Sequence, residues 1–236
     1  MATVRRVVQS GKVLRARRPR GSLSRDQVVA AALALADEHG LEALSMPRLA
    51  AELGCGVMTL YRYVADKNDL LDAMAQSGLA GLRLSRPLPD DPATVMVSWG
   101  RALRSILRTH PSLPMIFLSR PIVGPGILNG VEALLTALAR CGVAPSVGVR
   151  AVYAVLIYTT GFAAWELPRA GPGAGEAYAR SWRLQLADPH PGEYPLATTV
   201  VEDLVGVADE QQYDYGLTSL AQGLFPAEQA ASQAND

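Results

Sequence analysis

Capping residues and glycines divide residues 24–64 into short helices, and this division constrains the fold more than any other feature of the sequence. Ser24 is a suitable N-cap, because its hydroxyl can accept a hydrogen bond from a free N–H group of a first turn. Gly40 can adopt a left-handed conformation and is placed to end the helix predicted over Arg25–His39. One face of that helix is apolar at helical spacing, and we expect it to be buried: Val28, Ala32, Leu35 and Ala36.

A second and a third short helix are predicted to follow. Ser45 caps the second, and Pro47 occupies its first turn, where the missing N–H is harmless. A tight turn at 54–56 ends this helix, and residues 57–64 are predicted to form the third. The inward-facing positions are predicted to be Leu49, Ala50 and Leu53 in the second helix and Leu60, Tyr61 and Val64 in the third.

The remainder of the chain is also predicted to be helical, because it shows no strand alternation. It contains no internal repeat. We expect a fourth helix over 66–84, the longest helix from Pro145 onward, and further helices over 92–109, 124–140, 197–207 and 212–224. A Gly/Pro-rich loop is predicted over 168–175, and the small, polar tail over 226–236 is predicted to be disordered. The expected fold class is therefore all-α.

The segment Ala151–Trp165 contains no charged residue and has apolar side chains on every face, which predicts a helix buried on more than one side. A membrane span takes about 20 consecutive apolar residues. The segment is too short for this, and Thr159, Thr160 and Gly161 interrupt it. We therefore expect burial within a protein bundle and no membrane partner.

Basic residues are concentrated at the amino-terminal end, although the formal net charge of the whole chain is zero. Met1–Arg83 contains 12 Lys and Arg against 8 Asp and Glu, a net charge of +4, and the rest of the chain carries −4. Seven of these basic residues precede Gly21 without an acidic neighbour. Residues 1–22 are interpreted either as a solvated, flexible arm or as an arm that contacts DNA phosphates or the minor groove.

No pattern in the sequence indicates an enzyme, a metal centre or a cofactor site. There is no Ser/His/Asp order, no pair of catalytic carboxylates and no Gly-rich phosphate loop. The cysteines and histidines lack metal-ligand spacing: Cys55, Cys141, His39, His110 and His190. The basic amino terminus lacks the apolar stretch of a secretory signal, so we expect a cytoplasmic protein.

The two short helices joined by the turn at 54–56 match a helix-turn-helix unit, whose second helix lies in the DNA major groove. Residues Leu44–Leu71, LSMPRLAAELGCGVMTLYRYVADKNDLL, resemble the DNA-binding head of the tetracycline-repressor (TetR) family. LAAELG, TLYRYV and the ending Lys67-x-x-Leu70-Leu71 carry most of the likeness, which covers Ser24 to about Met74. The resemblance implies a three-helix head over 23–70 and a helical-bundle body over 71–225 for dimerisation and ligand binding.

Arg62 is the expected base reader, because its guanidinium fork suits guanine O6 and N7. The other predicted DNA-binding residues lie around the helix-turn-helix and at the first turns that face it: Ser24, Arg25, Ser45, Arg48, Val57, Met58, Thr59, Tyr61, Tyr63 and Lys67. The family implies that the Tyr61 ring packs on the core with its hydroxyl toward DNA, whereas Tyr63 is expected to face outward. Either tyrosine is alternatively a plain packing residue, and Val57 and Met58 either touch thymine methyls or are simply exposed.

The body contains an aromatic and sulfur-rich set that suits a pocket for a largely apolar small molecule, although core packing is the alternative for each member. The set is Trp99, His110, Met115, Phe117, Tyr153, Tyr158, Phe162 and Trp165. We expect His110 to cap carbonyls at the end of its helix rather than to anchor a ligand. The ending YDYGLTSLAQGL resembles the last helix of the TetR-type body, which pairs across a homodimer with the long helix.

The sequence thus predicts a ligand-responsive regulator that binds a palindromic operator as a homodimer, with one head on each half-site. Repression, with release by a small and largely apolar effector, is the expected mode. Two other classes remain open: an enzyme, and a ligand-independent DNA-binding or architectural protein whose body only dimerises.

Overall fold

The computed structural model describes residues 23–84, 86–169, 173–187, 193–206 and 209–225, and within these ranges the chain is helical without a strand. The first four helices are α1 Arg25–His39, α2 Met46–Glu52, α3 Val57–Leu60 and α4 Lys67–Leu79. The others are α5 Pro92–Thr109, α6 Leu113–Ser119, α7 Pro125–Arg140, α8 Pro145–Glu166, α9 Ala174–Ala187, α10 Pro195–Thr199, α11 Val201–Gly206 and α12 Glu210–Leu224. The basic arm at 1–22 and the tail at 226–236 lie outside the described residues. The expected all-α class is confirmed.

Local capping explains where the first helices begin and end. The Ser24 hydroxyl accepts from the Gln27 N–H at 3.2 Å, and the Gln27 side chain accepts from the Ser24 N–H at 3.0 Å, a reciprocal capping box. Gly40, with φ of +85°, ends α1, and Gly54, with φ of +65°, forms the turn after α2. Both glycines occupy a region that other residues rarely adopt, which is why the sequence located these two ends correctly.

The third helix is shorter than expected. It ends at Leu60, and tighter i→i+3 bonds then join Arg62 N–H to the Thr59 carbonyl and Tyr63 N–H to the Leu60 carbonyl. Leu60 and Val64 are buried as predicted, but Tyr61 is 45% exposed. The expectation that Tyr61 faces inward is therefore wrong, and Tyr63 packs partly against the core in its place.

Helix α8 is the centre of the body and packs against α5, α6, α7 and α12. With the 3₁₀ turn that follows it, Leu167–Arg169, it forms a continuous 25-residue segment that is long and apolar enough to cross a membrane. The uncharged stretch Ala151–Trp165 is only part of this longer segment, and the expectation of too short a length concerned that stretch alone. Its neighbours on several sides give it the packing of a core helix in a bundle.

Other elements differ from the expected bounds. The fourth helix stops at Leu79 rather than at Leu84, and the segment predicted over 197–207 is two helices, α10 and α11. Helix α6 forms in a stretch for which no helix was predicted, and Pro114 lies in its first turn, where it removes no helical hydrogen bond. Helix α9 begins at Ala174, inside the loop predicted over 168–175.

Candidate nucleic-acid interface and ligand-binding body

The outward surface around α3 combines a long cation, a thioether and a phenol. Met58 is 77% exposed and Tyr61 45% exposed, while Arg62 and Arg48 also face solvent. Beneath them Leu60 is fully buried against the core. This surface, which we call the reading surface, therefore presents flexible side chains on a rigid support. Thr59 and Val57 are half-buried at its edge.

Four of the predicted DNA-binding residues hold the head together. Ser24 caps α1, and the Ser45 hydroxyl accepts from the Arg48 N–H at 3.3 Å at the start of α2. Arg25 donates to the Tyr63 carbonyl at 3.1 Å and to Asp69 Oδ1 at 2.6 Å. Lys67 Nζ donates to the Leu44 carbonyl at 2.8 Å. Ser24 and Ser45 thus cap their helices, Arg25 ties α1 to the turn after α3 and to α4, and Lys67 ties α4 to the segment before α2. DNA contact by any of the four stays a prediction.

Charged and polar side chains connect the head to the body. The Asp37 carboxylate on α1 accepts from the Ser112 N–H at 3.0 Å and from its hydroxyl at 2.6 Å, and lies 2.8 Å from His110 Nδ1. We call this cluster the head–body joint. His110 is the C-cap residue of α5, as expected, and its backbone N–H donates to the Ile106 carbonyl at 2.9 Å, while its ring bonds to Asp37.

A second set of contacts joins α4 to the segment after α6. Arg120 donates to Asn68 Oδ1 at 2.9 Å and to Asp72 Oδ2 at 3.3 Å. Helix α6 therefore has a polar connection to α1 before its first residue and to α4 after its last. Because α6 also packs on α8, a displacement of the body core has a direct route to the head.

Aromatic rings from α8 and α12 form a cluster inside the body. The Tyr158 and Tyr213 rings stack with centroids 5.6 Å apart, and Phe162 meets Tyr213 edge-on at 5.1 Å and Trp165 at 6.4 Å. The Tyr213 hydroxyl bonds to Thr159 Oγ1 at 3.0 Å. Burial raises the pKa of Tyr213 from 10.0 to about 12.

A buried ion pair lies against this cluster. Arg104 of α5 donates to both Glu166 oxygens, from Nε at 3.0 Å and from a terminal nitrogen at 2.7 Å. Its guanidinium carbon lies 4.4 Å from the Tyr213 ring centroid, within the range of a cation–π contact. The two side chains are 6% and 7% exposed, so water screens the pair little.

The structure brings together only part of the predicted ligand-binding set. Tyr158, Phe162 and Trp165 are neighbours in the ring cluster, and Trp99 is buried. Tyr153, at 60%, and Met115, at 53%, are exposed, while Phe117 is half-buried beside the core. His110 belongs to the head–body joint. Ligand contact by these residues stays a prediction.

Two cavities lie elsewhere in the body, and no member of the predicted set lines either of them. One, of about 200 Å³, is bounded by Glu166, Arg169, Tyr178, Val205, Gly206 and Asp209. The other, of about 380 Å³, lies between α5 and α12 and is bounded by residues that include Asp91, Val97, Thr218 and Phe225. The first cavity could not be predicted from the sequence, because its walls come from three separate segments. Among the described residues, no cluster of three or more metal-ligating side chains occurs.

Both parts of the chain match family descriptions. Residues 28–74 match "Bacterial regulatory proteins, tetR family", and residues 88–226 match "Tetracyclin repressor-like, C-terminal domain". The chain belongs to the TetR family. The resemblance that the helix-turn-helix carries is thereby confirmed, and this TetR-family protein is a DNA-binding transcriptional regulator and not an enzyme.

Relatives and solved structures agree with this assignment. The chain is 36% identical over 225 residues to the HTH-type transcriptional repressor DrrR1 of Streptomyces coeruleorubidus, covering 88% of this chain and 79% of that protein. Apo ActR from Streptomyces coelicolor superposes with a TM-score of 0.76 at 26% identity, covering 89% of this chain and 97% of ActR. ActR has also been solved in complex with actinorhodin, with a TM-score of 0.75, 26% identity and coverage of 86% of this chain and 96% of ActR. BioQ, solved with its double-stranded DNA operator, gives a TM-score of 0.58 at 26% identity, covering 86% of this chain and 98% of BioQ.

Proposed function

We propose that this regulator binds a palindromic operator as a homodimer, represses transcription, and is released by a small, largely apolar effector held in its body. The reading surface is the observation that carries the DNA-binding part. The Arg62 side chain there is exposed and has no hydrogen-bond partner among the described residues, so its guanidinium fork can meet a guanine edge, and Met58 and Tyr61 flank it with apolar and hydroxyl groups. ActR bound to actinorhodin and BioQ bound to its operator support the two halves of the proposal by similarity.

A homodimer is supported by an uncovered apolar stripe on α8. Val149, Tyr153 and Ile157 are spaced four residues apart and are 39%, 60% and 65% exposed in the single chain. Tyr215 on α12, the helix that packs beside α8, is 70% exposed. A second copy that pairs α8 and α12 would bury these side chains and set the distance between the two heads. Two heads read two half-sites only at a spacing near one helical turn of DNA, about 34–36 Å, or a multiple of it.

Release requires that the effector prefer the head spacing that does not fit the operator, because equal affinity for both states shifts nothing. Helix α4 is the proposed lever, since it contacts α1 in the head and α6 in the body. A coupling free energy of about 1–3 kcal/mol corresponds to a 5- to 150-fold loss of operator affinity. The proposed compartment is the cytoplasm, with the head over 23–70 and the body over 71–225.

Binding-site selection with the purified full-length protein tests the DNA-binding part. The expected result is a palindrome. Arg62→Ala should relax the preference at one base of each half-site, since a bidentate base contact is worth about 1–3 kcal/mol of discrimination. Arg140→Ala, an exposed arginine at the end of α7, is the matched control and should return the wild-type motif. An unchanged motif and affinity for Arg62→Ala would contradict the assigned role.

Truncation of residues 1–20 tests the proposed contact of the basic arm with DNA. Each lost phosphate contact should reduce the log–log salt slope of operator binding by about 0.9. Identical slopes for the full-length and truncated proteins would leave the arm as a solvated segment.

A further inference from the structure

Helix α3, which carries the reading surface, is too short to hold its own conformation. It consists of four residues, Val57–Leu60, and its N-cap Gly56 makes no side-chain hydrogen bond. A single helical turn is unfavourable in isolation, because several backbone dihedral angles are fixed for one hydrogen bond. Arg62 lies beyond the end of this helix, where its N–H donates to the Thr59 carbonyl over a long 3.3 Å. The position of the Arg62 side chain therefore depends on contacts made from outside α3.

An arginine of α1 and an aspartate of α4 bond to the backbone of this turn. Arg25 Nε donates to the Tyr63 carbonyl at 3.1 Å, and a terminal nitrogen donates to Asp69 Oδ1 at 2.6 Å. The other carboxylate oxygen, Asp69 Oδ2, accepts from the Ala65 N–H at 2.8 Å. The pair thus bonds to the main chain on both sides of Val64, whose own side chain is buried. We call Arg25 and Asp69 the turn clamp.

The ends of two longer helices hold the turn clamp in place. Asp66, the N-cap of α4, accepts from the Asp69 N–H at 2.8 Å, which holds Asp69 in the first turn of that helix. Arg25 is the first residue of α1 and directly follows its N-cap. The clamp therefore connects the turn that carries Arg62 to α1 and to α4, and α4 is the proposed lever between head and body.

The turn clamp is better suited to set geometry than to stabilise the fold. The Arg25 and Asp69 side chains are 50% and 34% exposed, and an ion pair as solvated as this contributes little to stability. Its hydrogen bonds to the main chain, in contrast, have preferred directions and reach groups one and three positions after Arg62. A small displacement of this turn would misalign the Arg62 fork, because a bidentate base contact needs both of its hydrogen bonds at once.

We propose that Arg25 and Asp69 are positioning residues for DNA recognition, which act through the turn that carries Arg62 rather than through contacts of their own with DNA. This inference rests on the proposed base-reading role of Arg62. It differs from a phosphate contact by Arg25, which would carry no sequence information. It also differs from plain electrostatics, because the loss of an anion at position 69 would by itself strengthen binding to the DNA polyanion.

Two variants separate positioning from charge. Arg25→Lys keeps the charge, but a single ammonium group does not reproduce the two directed bonds of the fork. Asp69→Asn removes a negative charge and places an NH₂ donor against either the Arg25 fork or the Ala65 N–H. The measured quantity is the ratio of the affinity for the selected operator to the affinity for scrambled DNA of the same length at the same salt concentration. Both variants are expected to lower this ratio by about fivefold or more, with the loss in Arg62→Ala as the upper limit.

Matched controls carry the same chemical changes away from the clamp. Asp26→Asn controls for the lost charge, because Asp26 is exposed beside Arg25 and its side chain makes no hydrogen bond within the described residues. Arg140→Lys, at the exposed end of α7, controls for the arginine replacement. Both controls should keep the wild-type ratio. Circular dichroism shows whether each variant is folded, and partial unfolding would reduce binding to both DNAs by the same factor without changing the ratio.

A wild-type ratio in either Arg25→Lys or Asp69→Asn would overturn the turn clamp, and so would an Asp69→Asn protein that binds both DNAs equally more tightly. The comparison with Arg62→Ala distinguishes this failure from a failure of the proposed function. If Arg62→Ala lowers the ratio and the clamp variants do not, the base-reading role stands and the clamp is wrong. If Arg62→Ala keeps the wild-type ratio, the base-reading role itself is wrong, and the inference fails with it.

Discussion

Replacement of Glu166 by glutamine isolates the cost of leaving Arg104 buried without its anion. Glutamine keeps the shape of the side chain, but it places an NH₂ donor against a guanidinium that has only donors. Both wild-type bonds, at 3.0 and 2.7 Å, involve side chains that are 6% and 7% exposed. Breaking a buried pair by removal of one partner costs about 3–5 kcal/mol. The stacking of Arg104 on Tyr213 remains in the variant, so we expect the lower end, about 3 kcal/mol.

The Arg101–Asp214 pair is the matched reference. It has the same two-bond geometry, at 2.9 and 3.0 Å, and its arginine also comes from α5. Its side chains, however, are 55% and 35% exposed. Asp214→Asn is therefore expected to cost no more than about 1 kcal/mol, as for other solvated pairs. Burial, rather than bond geometry, would then account for the difference between the two variants.

Urea unfolding followed by circular dichroism measures both losses. The protein concentration is held fixed, because the proposed dimerisation would make the apparent stability concentration-dependent. The double variant Arg104→Met with Glu166→Met should recover most of the loss, since it removes both charges and restores apolar packing. Equal losses for Glu166→Gln and Asp214→Asn, or a loss below about 1 kcal/mol for Glu166→Gln, would refute the reasoning.

Three further predictions concern other parts of the molecule. The pKa of Tyr213 is raised to about 12, so its phenolate absorbance, measured as the difference between the wild type and Tyr213→Phe, should appear at a higher pH than that of an ordinary tyrosine. Because this pKa is higher in the folded than in the unfolded state, the contribution of Tyr213 to stability is complete below about pH 10. It is lost as the pH rises through about 12. Asp37→Asn should lower the free energy of unfolding by about 1–2 kcal/mol, because hydrogen bonds to a charged acceptor at the head–body joint are weakened. The control is Glu38→Gln at the neighbouring, exposed position, which should have little effect in the same urea titration. Equal effects of the two variants would contradict a stabilising role of the head–body joint. Ile157→Glu should give monomers in sedimentation velocity. The control Leu128→Glu, at a position on α7 that is 63% exposed, should leave the proposed dimer intact. A dimeric Ile157→Glu protein would exclude the α8 stripe from the interface.

The sequence predicted the bounds of those helices whose ends are determined by nearby capping residues. Helices α1 and α5 have the expected bounds, because Ser24, Gly40 and Pro92 are cap or first-turn residues whose effect needs no distant partner. Tyr61 and Tyr63 were assigned the wrong way round for a physical reason. Residues three apart lie on the same side of a tight i→i+3 turn, so the turn after α3 places Tyr63 above Leu60 and turns Tyr61 outward.

The candidate sites depend on contacts between residues far apart in the chain, which periodicity cannot reveal. Lys67 meets the Leu44 carbonyl across 23 positions, and Arg104 meets Glu166 across 62. The sequence predicts a DNA contact for Lys67 because the residue is a charge at the start of a helix, whereas its bond to the Leu44 carbonyl can be known only from the structure. Arg169 was not predicted as a site residue for the same reason, because its contacts with the Trp165 and Tyr178 rings and its place in a cavity wall depend on the fold.

Helices α4 and α6 lie in direct contact at Gly78, with little space between them. A Cβ at residue 78 would collide with the Leu113 side chain, so glycine brings the two helices together with nothing between the α4 backbone and that leucine. A layer of long side chains between the helices would absorb a small shift through changes of rotamer. Here one leucine side chain lies directly on the α4 backbone, so a shift of α6 is passed to α4 through a single close-packed contact.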